Sequence, residues 1–174
     1  MHTVISDIFG FIAIASTFVV FIQKEQKQLI FAKMFVNILW LIYFFLRSYW
    51  GLSETYSACV IQLVAVLRGV VALNVHRKWA SGKIWLWCFI ALSWLGSLAS
   101  WQGAACWLSA ISSTCATIMF WCKTPQQSRF WGIATYVTWG VYAWLTNSYM
   151  ALASSIIAMI SIAVGFLKYK KAEK

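Results

Sequence analysis

Charged residues are scarce in this chain of 174 residues, since they make up 10% of the sequence while 62% of the residues are hydrophobic. A typical soluble domain carries about 25% charged residues and about half apolar ones. A soluble fold of this length could not bury so much apolar surface, and large exposed apolar patches cause aggregation. The composition and the mean hydropathy of +0.75 therefore predict a protein whose solvent is lipid.

Acidic residues are the rarest charged type, because the chain has only four of them. All four fall in loops or at the ends of apolar segments: Asp7, Glu25, Glu54 and Glu173. Transporters driven by protons or sodium usually keep an acid or a broken helix inside the membrane. The positions of the acids therefore argue against a coupled transporter of that kind.

Recognisable catalytic and metal-binding motifs are also missing. The five cysteines lie inside apolar segments without C-x-x-C spacing, which favours a packing role. His2 and His76 are peripheral, and no Ser-His-Asp set, zinc spacing or phosphate-binding loop can be assembled. We therefore expect neither an enzyme nor a bound metal or cofactor.

Seven apolar segments match the roughly 20 residues that a membrane-spanning helix needs. The predicted spans are residues 5–22, 34–52, 55–75, 84–101, 104–122, 130–146 and 149–167. Because residues 1–22 lack a basic region before the apolar run, we expect a span there and not a cleaved signal peptide. The predicted fold class is an all-α membrane protein with seven transmembrane helices.

The basic residues give a net charge of +10, and their positions predict the orientation of the chain. Nearly all basic residues outside the predicted spans lie in three alternate loops and in the segment after span 7: Lys24, Lys27, Lys33, Arg77, Lys78, Lys83, Lys123, Arg129, Lys168, Lys170, Lys171 and Lys174. The opposite side has Arg47 and the uncharged stretches Trp101–Gly103 and Asn147–Tyr149. The positive-inside rule therefore places the C-terminus in the cytoplasm and the N-terminus outside. Charges dispersed among short loops also argue against a nucleic-acid surface.

The two halves of the chain share an internal pattern. Ile14–Thr17 in span 1 is similar to Ile111–Thr114 in span 5, and Asn37–Leu46 in span 2 matches Tyr136–Leu145 in span 6 at Trp, Tyr and Leu. An odd connecting helix gives two such copies the same orientation, so parallel repeats are predicted. The predicted organisation is a first three-helix repeat at 5–75, an inverting linker helix at 84–101, a second three-helix repeat at 104–167 and a basic cytoplasmic tail at 168–174.

This 3-1-3 arrangement, with Asn37-x-x-Trp40-x-x-Tyr43 in the second helix, resembles the SWEET and SemiSWEET sugar facilitators. The dipeptide Pro125-Gln126 is similar to that of the wider PQ-loop group. The third helix of each SWEET repeat usually offers an Asn to the substrate. Here the corresponding regions have other hydrogen-bonding residues: Thr55, Ser57 and Cys59 in span 3, and Ser154 and Ser155 in span 7.

Three further segments carry a second resemblance, and it extends over nearly the whole chain. They are the charged first loop Gln23–Gln28, Val66–Gly69 within span 3, and Phe120–Lys123 at the end of span 5. With these features the chain more closely resembles the YgjV-type family of bacterial inner-membrane proteins. The resemblance implies a location in the bacterial inner membrane and a SWEET-like shape, and it implies no particular solute.

Six residues form the predicted substrate-binding set: Trp40, Trp139, Asn37, Gln62, Ser154 and Arg68. Asn37 and Trp40 share one helix face, and Trp139 occupies the matching place in the second repeat. An indole face stacks on a sugar or a flat ring, and a neighbouring amide can fix hydroxyl groups. Helix packing is the alternative role for such aromatic stripes, and Tyr43 and Tyr142 are expected to anchor at the outer surface.

Arg68 and Gln62 are the polar residues of span 3 that matter most for this site. Arg68 lies about two turns from the cytoplasmic end, so it either snorkels to the surface or turns into the bundle. In the bundle it would meet a substrate anion or a neighbouring carbonyl. Gln62 lies near the midplane and is expected to face protein, because lipid offers it no partner.

The leading functional hypothesis is an uncoupled facilitator that passes a small polar solute, such as a sugar, by alternating access. A vitamin or nucleoside facilitator is the first alternative, because full-length PnuC-type vitamin transporters share the 3-1-3 shape and a Trp-rich site suits a flat ring. A non-transporting membrane subunit or scaffold is the second, since small residues in spans 4 and 7 suit close helix packing. The expected partners are the lipid bilayer and a small-molecule solute, with no nucleic acid, and a homo-oligomer stays open.

Overall fold

The structure is a computed structural model that describes residues 2–51, 56–99, 105–145 and 148–170. Within these ranges the chain forms seven α-helices and no β-strand. They are α1 (His2–Val20), α2 (Gln26–Tyr49), α3 (Tyr56–Leu73), α4 (Ile84–Ala99), α5 (Ala105–Trp121), α6 (Pro125–Leu145) and α7 (Tyr149–Lys170). The predicted all-α class is confirmed, and each predicted span corresponds to one helix.

The helices differ in how well their length suits a bilayer. By length and composition, Gln26–Tyr49 and Tyr149–Lys168 are long and apolar enough to cross a membrane. Four shorter helices are also apolar: Val4–Val20, Ala58–Leu73, Ile84–Ala99 and Cys106–Trp121. Large apolar side chains such as Phe11, Ile84 and Trp144 point outward with more than half of their surface exposed. An apolar exterior of this kind suits contact with lipid.

α1, α2 and α6 begin earlier than the sequence predicts, and the difference is largest for α2 and α6. α2 starts at Gln26 and not at 34, and α6 starts at Pro125 and not at 130. Glu25 has an extended backbone just before α2, and a proline at the first position of a helix loses no hydrogen bond. The predicted spans begin only where the apolar runs begin. The helices begin earlier because polar residues in the first turns of α2 and α6 find hydrogen-bond partners inside the bundle.

Some predicted features lie outside the described residues. These are Trp101–Gly103, Asn147, Thr55, Glu54, Glu173 and the tail from 171 onward, together with the side chain of Ser57. α7 continues to Lys170, so the segment predicted as a tail from 168 begins inside a helix.

The helices pack as two groups with corresponding neighbours. α2 packs against both α1 and α3, and α6 packs against both α5 and α7. Between the groups α1 contacts α7, α3 contacts α5, and α2 approaches α6. α4 packs on α3 and α5. These helix contacts are compatible with two three-helix units, α1–α3 and α5–α7. That the two units are repeats stays a prediction.

Arg129 is a buried helical residue, so its predicted place in a charged loop is wrong. Its side chain is 1% exposed within α6, and it donates hydrogen bonds from Nε to Phe21 O at 3.0 Å and from Nη2 to Gln23 O at 2.9 Å. These carbonyls follow the C-terminus of α1, where a cation is favoured by the helix dipole. Gly165 of α7 leaves room for this group, since a Cβ there would lie 2.7 Å from Arg129 Nε. Arg129 therefore joins α6 to α1 and α7.

Candidate functional site

A polar cavity of about 60 Å³ lies between α2, α3, α5, α6 and α7. The six predicted binding residues all line it: Asn37 and Trp40 from α2, Gln62 and Arg68 from α3, Trp139 from α6 and Ser154 from α7. The structure thus brings together residues as far apart in the sequence as Asn37 and Ser154. Their role in binding a solute stays a prediction.

The two tryptophans are held by neighbouring aromatic rings on their own helices. The Trp40 ring meets Tyr43 edge-on at 5.2 Å and stacks on Phe44 at 5.5 Å between centroids. Trp139 stacks on Tyr142 at 4.9 Å. Helical spacing of three or four residues places these rings on one face. Tyr43 is 6% exposed, so the expectation that it anchors at the outer surface is wrong.

Arg68 turns into the bundle and does not snorkel. Its side chain is 2% exposed, and Nη1 donates to Ser113 O at 3.0 Å and to Thr117 Oγ1 at 2.7 Å, both on α5. The guanidinium carbon also lies 4.9 Å from the centre of the Phe120 ring. Of the two alternatives for Arg68, the inward one holds, because α5 supplies the acceptors that lipid lacks.

Lys33 belongs to the cavity although the sequence places it in a loop. It is 8% exposed within α2, and its ammonium donates to the Tyr136 hydroxyl at 2.6 Å. The same ammonium lies 4.8 Å from the centre of the Tyr136 ring. The spacing of Lys33, Asn37 and Trp40 places them on one helix face, and this spacing is the feature of the sequence that could have assigned Lys33 to the cavity. Lys33 looks like a loop residue because it comes just before the apolar run.

Three polar atoms at the cavity have no hydrogen-bond partner among the described residues. They are Nδ2 of Asn37, Oε1 of Gln62 and Nε of Arg68. All three side chains are more than nine-tenths buried. A buried polar atom without a partner costs about 1–3 kcal/mol, and such atoms in proteins are nearly always satisfied by protein, water or ligand. The cavity therefore offers bonds that a polar guest can accept or donate.

The serines of α5 at the cavity already have partners. Ser112 Oγ donates to Thr135 O of α6 at 2.9 Å, and Ser113 Oγ donates to Ser93 Oγ of α4 at 2.8 Å. Ser109 Oγ donates to Cys106 O at 2.8 Å. The Ser112 and Ser113 hydroxyls tie α5 to α6 and α4, whereas the Ser109 bond lies within α5. None of the three serines was among the predicted binding residues.

Polar contacts connect helices at both ends of the bundle. At one end Gln26 Nε2 donates to Ser128 Oγ at 2.8 Å, and Ser128 Oγ donates to Met119 O at 2.9 Å. At the other end Arg47 Nη1 and Asp7 Oδ1 are 3.5 Å apart. The first set joins α2, α5 and α6, and the ion pair joins α1 to α2. No group of three His, Cys, Asp or Glu residues in the described ranges is arranged to hold a metal ion.

The described helices form a bundle with an apolar exterior and a polar cavity inside, and this arrangement defines a multi-helix membrane protein. The family model of Imp-YgjV, described as bacterial inner membrane protein, matches residues 4–173. The chain therefore belongs to the Imp-YgjV family of bacterial inner membrane proteins, and the predicted location in that membrane is confirmed. Searches of curated proteins and of solved structures each give no match, so the SWEET-like shape stays a prediction.

Proposed function

We propose that this protein is an uncoupled facilitator that passes a small polar solute across the bacterial inner membrane by alternating access. The observation that carries the proposal is the cavity between the helix groups, with three buried polar atoms that lack partners. A guest that bonds to them would remove the free-energy cost of leaving them unsatisfied. The proposal includes no catalytic step and no bound cofactor.

The moving parts are the two three-helix units, α1–α3 and α5–α7, with α4 as the linker. Several hydrogen bonds join the units at one end of the bundle, among them Arg129 to Phe21 O and Gln26 to Ser128. These bonds must break if the cavity is to open at that end. The Asp7–Arg47 pair at the opposite end lies within the first unit and does not restrain the second. These hydrogen bonds between the units support a state that is closed at the end that contains Arg129.

The orientation proposed is N-terminus outside and C-terminus in the cytoplasm. Lys33 and Arg129 are buried and therefore do not count as loop charges. The exposed basic residues still share one side: Lys24, Lys27, Arg77, Lys78, Lys83, Lys123 and Lys168. Arg47 is on the other side. With this orientation the end that contains Arg129 faces the cytoplasm.

The lining supports an uncoupled mechanism. Among the described residues around the cavity none is Asp or Glu, the groups that proton- and sodium-driven carriers commonly place in the membrane. Movement would then follow the gradient of the solute alone.

The test is flux into liposomes that contain the purified protein. Osmotic swelling is followed by light scattering with sugars, nucleosides, vitamins and short organic acids and amides. Trp40→Ala with Trp139→Ala should abolish flux of the transported solute because it removes both walls of the cavity. The matched control is Trp87→Ala with Trp144→Ala, which deletes two tryptophans that are 66% and 67% exposed.

Normal folding of both variants is checked by gel filtration and melting temperature. Unchanged flux in the Trp40/Trp139 variant would refute the site. Wild-type protein that passes none of the solutes would refute transport. The non-transporting membrane subunit would then be favoured, and co-purification with another membrane protein would identify its partner.

A further inference from the structure

Two basic side chains line the cavity, and no acidic one among the described lining residues balances them. Lys33 and Arg68 are 8% and 2% exposed, so neither reaches solvent to any large extent. A buried charge without a counter-ion is unfavourable, because it loses its hydration and gains only partial compensation from dipoles. The two basic groups of the cavity therefore favour a guest that brings a negative charge with it.

The groups that now contact these cations are neutral. Lys33 donates to the Tyr136 hydroxyl, and Arg68 Nη1 donates to Ser113 O and Thr117 Oγ1. Neutral oxygens hold the two side chains in place without cancelling their charge. An anion in the cavity would supply the negative charge that the described lining residues do not.

The free edge of Arg68 has the shape that a carboxylate recognises. Nη1 is occupied by α5, while Nε is buried and has no partner. Guanidinium N–H groups bind the two oxygens of a carboxylate as a pair, and such charge-assisted bonds are stronger than neutral ones. Asn37 Nδ2 is a second unpartnered donor at the same cavity. A carboxylate has two oxygens with about four acceptor positions to satisfy these donors.

The size and the walls of the cavity limit the rest of the guest. About 60 Å³ is room for a few water molecules, and it is well below the roughly 300–1,000 Å³ of sites for drug-sized ligands. Trp40 and Trp139 add apolar surface for a short hydrocarbon part. We infer that the solute is a short-chain carboxylate anion, bound between Lys33 and Arg68. This inference rests on the proposed facilitator and names its solute class.

Binding is tested first on the full chain in mild detergent, without any substitution. Melting temperatures are recorded at neutral pH against acetate, acetamide and chloride, with sodium held constant by an inert salt. A carboxylic acid is ionised at this pH, whereas the amide of the same shape carries no charge. Acetate should stabilise the protein saturably, and acetamide and chloride should not. Equal effects of acetate and acetamide, or of acetate and chloride, would overturn the assignment.

Matched variants on one helix then locate the site. Lys33→Gln should weaken acetate binding about tenfold or more, since a hydrogen bond to a charged group is lost. Lys27→Gln removes the same charge from an exposed position on α2 and should leave binding unchanged. Lys33→Arg keeps the charge and should restore much of the affinity. Weakening by Lys27→Gln to the same degree as by Lys33→Gln would show a general charge effect and would contradict the site.

Flux separates this inference from the proposed function. Movement of acetate alone by an uncoupled facilitator carries charge, so it sets up a membrane potential that a voltage-sensitive dye reports, whereas leakage of acetic acid through lipid does not. Swelling in acetamide faster than that of protein-free liposomes, without an acetate potential, would keep the facilitator and refute the anion. Acetate binding that Lys33→Gln abolishes, with neither swelling nor potential, would keep the anion site and refute the facilitator. Failure of both binding and flux would refute both.

Discussion

The ammonium nitrogen of Lys33 lies 2.6 Å from the hydroxyl oxygen of Tyr136, and this hydrogen bond joins α2 to α6 across the cavity. The two residues are 103 positions apart and belong to different three-helix groups. Tyr136 comes three residues before Trp139, with the same spacing by which Asn37 precedes Trp40. The contact therefore links the two aromatic stripes and fixes one of the two buried cations at the cavity.

Tyr136→Phe should destabilise the protein by about 1.5–3 kcal/mol, the contribution typical of a hydrogen bond to a charged group. The ring remains, so the loss reports the hydroxyl. Unfolding in detergent micelles measures it, and Tyr49→Phe, at a tyrosine that is 74% exposed, is the control. A double-mutant cycle with Lys33→Met isolates the coupling. Additive effects of the two substitutions would show that the bond contributes nothing.

Asn37→Leu should leave stability unchanged or raise it, while it abolishes the response to the solute. The Nδ2 atom is buried without a partner, so replacing the amide by an apolar group of similar size removes an unsatisfied donor. Positions kept for function at the expense of stability behave in this way. Melting temperatures with and without solute measure both effects. Thr17→Val is the comparison, since that hydroxyl bonds to Ala13 O at 2.8 Å and its loss should lower stability. A large loss of stability in Asn37→Leu would indicate a packing role.

Arg129→Met should destabilise the protein by at least about 2 kcal/mol, because it leaves two backbone carbonyls after α1 without their charged donor. Susceptibility to protease near Gln23 should rise as well, since this contact holds the start of the first loop. Arg77→Met, at an exposed position, is the control and should change little. Equal protease resistance of the two variants would contradict the role given to Arg129.

The orientation predicts where reporters fused to the C-terminus are active. Green fluorescent protein should fluoresce, because it folds in the cytoplasm, and alkaline phosphatase should be inactive there. Fusions that end after Arg47, in the segment between α2 and α3, should show the reverse. The opposite pattern would overturn the orientation while leaving the fold untouched.

The seven helices and the outline of the site follow from local sequence. Long apolar runs separated by short polar stretches determine helix number, because each helix satisfies its own backbone hydrogen bonds. Spacing alone puts Asn37 and Trp40 on one helix face. The sequence also predicts that Gln62 faces protein, because an amide has no hydrogen-bond partner in lipid.

The tertiary structure decided which charged side chains are buried, because no local sequence pattern carries that information. Lys33 and Arg129 look like loop residues because they adjoin apolar runs, yet both are buried in helices that begin earlier. Arg68 could equally have snorkelled, and α5 settled its direction by offering Ser113 O and Thr117 Oγ1. A buried cation is stable only where distant helices bring acceptors to it, and that meeting depends on how the helices pack. The sequence alone thus determined which segments are helical and apolar, and the packing of those helices decided which of their charges face the cavity.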